Sequence, residues 1–141
     1  MKQEWFKSEC FKSSCHRQYA DRQDKYSEAR LYPGTNGDIN TDGFTNGVYH
    51  VETLTSGTII DRYGSNGSGR YFSPDGTPYA ERALPPFMER QPYNRYRVVQ
   101  PFDVKAGEIA PWFNQPGKGI QFLSDYSLKY LLKHGYIEIL K

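Results

Sequence analysis

The stretch GTIIDRYGSNGSGRYFSP, Gly57–Pro74, decides how this chain folds. Both ends are short, β-branched and aromatic, and GSNGSG (Gly64–Gly69) between them is a run of turn residues. That is the pattern of strands separated by a glycine-rich loop. Similar short runs recur downstream in RYRVVQPFDV, IQFL and YIEIL, again punctuated by turn signals. One helix is readable, in SDYSLKYLLKHG. Ser124 or Asp125 can cap it, Leu128, Leu131 and Leu132 make an apolar stripe, Lys133 and His134 suit its negative end, and Gly135 can close it. The expected fold is α+β, a compact strand-dominated single domain with short helices.

Working outward from there, residues 31–53 (LYPGTNGDINTDGFTNGVYHVET) are so rich in Gly, Asn and Asp that turns are expected to dominate. The first thirty residues are polar and charged, with Tyr19 and Tyr26 spaced for one or two helical turns. Residues 1–53 therefore read as an amino-terminal extension of the same unit, and 54–141 as its core. Within the extension, DINTDG (Asp38–Gly43) imitates the opening of a calcium loop, but Tyr49 stands where the clamping acid belongs. A hydrated turn accounts for the same residues.

At 141 residues the chain is long enough for one modest core. Twelve Tyr and eight Phe beside a mean hydropathy of −0.79 suggest aromatic rings packed inward with hydroxyls kept wet. Disordered chains lack such an aromatic load. A formal charge of +2 is too weak to argue for a nucleic-acid partner. No apolar run approaches the length of a membrane span, and MKQEWFKSEC has no apolar signal-peptide region, so neither is expected. Cys10 and Cys15 either close a local disulfide in an oxidising compartment or stay reduced; with only His16 nearby, no metal site is expected of them.

Arginine placement points to function. Arg62, Arg70, Arg82, Arg90, Arg95 and Arg97 are interleaved with Tyr63, Tyr71, Phe72, Tyr79, Tyr93 and Tyr96. Guanidinium forks bind phosphate and aromatic faces stack on flat heterocycles, so a pocket with both suits a nucleotide. The GSNGSG loop adds backbone N–H groups that a phosphate nest would use. Singly, each arginine is as well explained as cover for a sheet face.

From Leu54 to Lys141 the motifs DRYG (Asp61–Gly64), FSPDGTP (Phe72–Pro78), RALPP (Arg82–Pro86) and APWFNQPGKGIQ (Ala110–Gln121) stand in unbroken order. In this the chain resembles the family named for the tuberculosis necrotizing toxin, whose members are NAD(P)+ glycohydrolases of bacterial toxins and secreted fungal enzymes. The resemblance implies a fold distantly like that of ADP-ribosyltransferases, with NAD+ or NADP+ as substrate, no cofactor and no metal. It places phosphate contacts on Arg62 with Tyr63 flanking the nucleotide, a ring on nicotinamide at Tyr71 or Phe72, and an arginine needed for activity at Arg82. It puts the catalytic glutamine at Gln121 rather than Gln115. Arg70, Asn94 and Gln115 are further candidates for substrate binding; Asn94 stands where the family often has His, and Lys118 interrupts its usual glycine run. A secreted or delivered effector acting in a target-cell cytoplasm, with a cognate immunity protein in the producing cell, follows from the same resemblance.

The residues suit that chemistry. Nicotinamide leaves from a cationic ring, so no general acid has to protonate it. What remains is to hold the pyrophosphate (Arg62 and Arg82), clamp the ring (Tyr71 and Phe72) and steady the ribose and water, for which a neutral glutamine serves. Glycosidases elsewhere use paired carboxylates; here the nearest acids in sequence are Glu81, a candidate helper, and Glu108. An ADP-ribosyltransferase and a non-catalytic nucleotide- or partner-binding module are the alternatives.

Overall fold

The computed structural model describes residues 29–35 and 37–141. The Tyr19–Tyr26 helix, the Cys10–Cys15 pair and His16 lie outside the described residues. Seven strands, β1 (His50–Leu54), β2 (Ile59–Tyr63), β3 (Tyr71–Pro74), β4 (Tyr93–Val98), β5 (Phe102–Glu108), β6 (Ile120–Ser124) and β7 (Ile137–Leu140), form one sheet. Their order is β1-β5-β6-β3-β2-β4-β7, and every neighbour pair is antiparallel. Alternation along β5 shows why: Phe102, Val104 and Ala106 are buried, while Asp103, Lys105 and Gly107 are not.

The register puts the buried set on one face. Ala106 faces Phe122 across β5–β6, Phe72 faces Phe122 across β3–β6, and Ile60 faces Tyr96 across β2–β4. The single α-helix among the described residues, α1 (Leu128–Lys133), closes this face with Leu128 and Leu131, both fully buried. Its cap is Ser127, which accepts the Tyr130 N–H at 3.1 Å, rather than the expected Ser124 or Asp125. Ser124 instead accepts the Tyr126 N–H. Two further N–H donors of the first turn, on Leu128 and Lys129, go to the carbonyls of Gly69 and Gly67. The helix ends as read, with Gly135 at φ +73° and the Tyr136 N–H returning to the Leu131 carbonyl.

One reading is corrected: RYRVVQPFDV is two strands, because Val99–Pro101 turns the chain between β4 and β5. Turns and short 3-10 segments dominate 31–49 as expected, and β1 takes up the end of the stretch, pairing His50 with Ala106 through Leu54 with Phe102. As an edge strand β1 buries only Leu54, so it lacks the apolar alternation that identifies its neighbours. The Asp38 carboxylate accepts the N–H groups of Gly34 (2.7 Å) and Asn40 (3.2 Å) and ties the turn together. Among the described residues no helix is long and apolar enough to cross a membrane.

Candidate active site

A cleft of about 420 Å³ opens where β2 ends and β3 begins, roofed by segments 32–35, 41–43 and 82–88. Asp61, Arg62, Tyr63, Arg70, Tyr71, Phe72, Arg82 and Gln121 all line it. Gln115, Asn94, Lys118, Glu81 and Glu108 do not.

Arg62 is half-buried, and no carboxylate among the described residues pairs with it. Its Nη1 donates to the Tyr71 carbonyl (3.2 Å), its guanidinium lies 5.9 Å from the Phe72 ring centre, and its Nε has no partner. Burial lowers its pKa. The glycine loop explains how the side chain fits: a Cβ at Gly69 would lie 2.0 Å from Nη1, and one at Gly64 2.7 Å from Nη2. These two glycines make room for the guanidinium beside the loop. Arg70, exposed at the rim, donates to the Asp125 carbonyl at 2.8 Å.

Arg82 is different. Its side chain is only 4 % exposed and makes a two-pronged ion pair with fully buried Asp61, Nη1 to Oδ1 at 2.7 Å and Nη2 to Oδ2 at 2.9 Å. The Oδ1 contact is ionic, without hydrogen-bond geometry. Nε and Nη2 donate to the Thr77 carbonyl as well. Asp61 also accepts the Tyr93 hydroxyl (2.6 Å) and the Gly76 N–H (3.0 Å). Tyr63 packs edge-on against Tyr79 and lies 5.1 Å from the Arg82 guanidinium. Arg82 therefore reaches the cleft as a neutralised wall, with its fork already occupied. Asp61 was missed in sequence, although an acid inside the buried run TIIDRY demands a cation. Of the other arginines, Arg95 forks Asp75 and Arg97 pairs with Glu138, both on exposed sheet surface.

Gln121 is 7 % exposed on β6. Its Nε2 donates to the Asp42 carbonyl at 2.9 Å, and since a carbonyl only accepts, this orients the amide. Oε1 has no protein donor among the described residues and is left to the cleft. Tyr71 is 43 % exposed and its hydroxyl donates to the same carbonyl at 3.2 Å. Burial, then the nearby Asp42 charge, pushes the phenol pKa up, so it stays a donor. Phe72, 2 % exposed, belongs to the core and crosses Tyr96 edge-on, which leaves Tyr71 as the more available ring.

The proline-glycine segment before Gln121 is an anchor. Phe113 and Asn114, at φ +50° and +61°, make a tight turn in which the Gln115 N–H returns to the Trp112 carbonyl. Trp112 Nε1 donates to the Leu31 carbonyl (2.7 Å) and Phe113 meets Tyr32 edge-on, which holds segment 31–32 over the cleft. Gly117 and Gly119 donate to the carbonyls of Ala80 and Glu81, and a Cβ on either would strike backbone at 2.8–2.9 Å.

A family model described as tuberculosis necrotizing toxin matches residues 53–140. The chain belongs to that family. The conidial surface nicotinamide adenine dinucleotide glycohydrolase of Aspergillus fumigatus is 40 % identical to this family member over 114 residues, 76 % of this chain and 48 % of that protein. The chain thus spans about half the length of that curated relative. The solved tuberculosis necrotizing toxin, complexed with its immunity factor, superposes with a TM-score of 0.57 at 24 % identity, covering 83 % of this chain and 70 % of that one. Rhs1-CT, solved with its cognate immunity protein, gives 0.50 at 16 % identity, over 85 % and 92 % of the two chains. At those identities the likeness is one of fold.

Proposed function

We propose that this chain hydrolyses the nicotinamide–ribose bond of NAD+ or NADP+, releasing nicotinamide and ADP-ribose or its phosphate. The observation that carries the reading is the buried, oriented Gln121 amide, its oxygen without a donor among the described residues, in a cleft where neither Arg62 nor Arg70 has a carboxylate partner among those residues. The identity to a fungal enzyme named for this activity supports it.

Arg62 and Arg70 hold the pyrophosphate, and the Tyr71 ring lies on nicotinamide. As the C–N bond breaks, its electrons neutralise the pyridinium nitrogen and positive charge passes to the ribose. Gln121 Oε1 accepts a hydrogen bond from a ribose hydroxyl or from the attacking water, whose proton is released to solvent. Arg82 acts on the cleft's shape, through Asp61. The enzyme works as a secreted or delivered effector in a target-cell cytoplasm, and the producing cell restrains it with an immunity protein whose acids face Arg62.

Incubation with NAD+ alone tests the reading. Free nicotinamide with free ADP-ribose is expected; ADP-ribose attached to protein would indicate a transferase instead, and unchanged NAD+ a binding module. Arg62→Ala should lower kcat/KM by about 2–3 kcal/mol, the size of a lost charge-assisted contact; wild-type kinetics would remove Arg62 from the phosphate site. Because the leaving group needs no acid and the described residues that line the cleft include no histidine or cysteine, kcat should stay flat between about pH 6 and 9. A bell-shaped profile there would require a titrating catalyst that this mechanism lacks.

A further inference from the structure

We propose that Asp42 is a positioning residue of this site, acting through its main-chain carbonyl and not its carboxylate. The proposal rests on the glycohydrolase reading of the cleft. Two side chains converge on that one oxygen, Gln121 Nε2 at 2.9 Å and Tyr71 Oη at 3.2 Å. Together they fix the plane of the glutamine amide, because turning it over would set Oε1 against the carbonyl.

The carbonyl points this way because Asp42 sits in the left-handed region, at φ +57° and ψ +17°. Asp and Asn tolerate that conformation and β-branched residues do not. Gly43 follows at φ +87°, and a Cβ there would already meet Gln121 Nε2 at 3.4 Å. The turn is fastened to the sheet. Phe44, 1 % exposed, bridges to Ile109, and the Ala110 N–H donates to the Gly43 carbonyl at 2.9 Å. Gly107 admits the Phe44 ring, since a Cβ there would approach its Cδ1 to 2.8 Å. All of Thr41–Phe44 precedes residue 53, where the family match begins. Asp42 also presents the cleft's exposed carboxylate, which makes no hydrogen bond among the described residues, so a direct catalytic role is the rival to be separated.

Three variants separate them, read by NAD+ kinetics and by the side-chain amide signals of Gln121 in 15N-labelled protein, assigned with Gln121→Ala. Asp42→Asn keeps the turn and should recover kcat to within about threefold of wild type, with the Gln121 signals in place. Asp42→Val should lower kcat about tenfold or more at nearly unchanged KM, and move the Gln121 signals toward those of a free amide. Tyr71→Phe keeps the stacking ring and loses only the hydroxyl; about a threefold loss in kcat with a smaller signal shift is expected, and it guards against a misfolded Asp42→Val. If Asp42→Asn is as inactive as Asp42→Val while the Gln121 signals stay put, the carboxylate is the working group and the proposal is overturned. Unmoved signals and full activity in both Asp42→Val and Tyr71→Phe overturn it too. Should the wild-type chain leave NAD+ intact, the glycohydrolase reading falls by itself, and the amide signals alone decide whether the carbonyl orients Gln121.

Discussion

Arg82→Ala should lose about 3–5 kcal/mol of folding stability, because it strands a buried carboxylate. Asp61 is wholly inaccessible and Arg82 is the one cation in ion-pair contact with it among the described residues, with the Tyr93 hydroxyl and Gly76 N–H also donating to it. Domains of this size are stable by only about 5–15 kcal/mol, so such a loss takes a large part of the total. Urea unfolding of both proteins measures it, at a slope that should stay nearly constant. Removing both charges with residues of similar volume, Asp61→Leu with Arg82→Met, should recover much of the loss, since the apolar pair leaves no unpaired charge. The measurement also separates two roles for Arg82. A phosphate ligand would be lost with a higher KM and an unchanged urea midpoint, and that result would overturn the reading of Arg82 as a neutralised wall.

The second large effect falls on turnover rather than stability. Gln121→Ala should lower kcat by about 10²–10³-fold, the usual result of deleting one preorganised polar contact to a transition state. Stability should fall by no more than about 1.5 kcal/mol, since the Asp42 carbonyl keeps the Tyr71 hydroxyl as a donor. Gln115→Ala should behave as wild type, because its backbone, not its side chain, pairs with Trp112. Expressed alone in a bacterial cytoplasm, the wild-type chain should deplete NAD+ and stop growth, and Gln121→Ala should not. A dead Gln115→Ala beside an active Gln121→Ala would move the chemistry out of the cleft.

Sequence alone carried the parts of this protein that are local. The β-branched runs flanking GSNGSG, the apolar stripe of Leu128 and Leu131 and the closing Gly135 are set by neighbours within one strand or turn, so they could be read directly. The four ordered motifs also carried the family, and with it the expectation for Arg62, Tyr71 and Gln121, which the structure brings to one cleft. What only tertiary structure decided is which groups meet across long separations. Asp61 and Arg82 are 21 residues apart, and their pairing turns a candidate phosphate ligand into a wall. Gln121 and Asp42 are 79 apart, and no periodicity signals that a carbonyl in a glycine-rich turn will orient a glutamine. β1 escaped notice for the same reason: an edge strand buries little of itself, and its identity comes from the hydrogen bonds β5 supplies. Side-chain type announces what a residue is able to do, but the partner that permits or cancels it is chosen by packing.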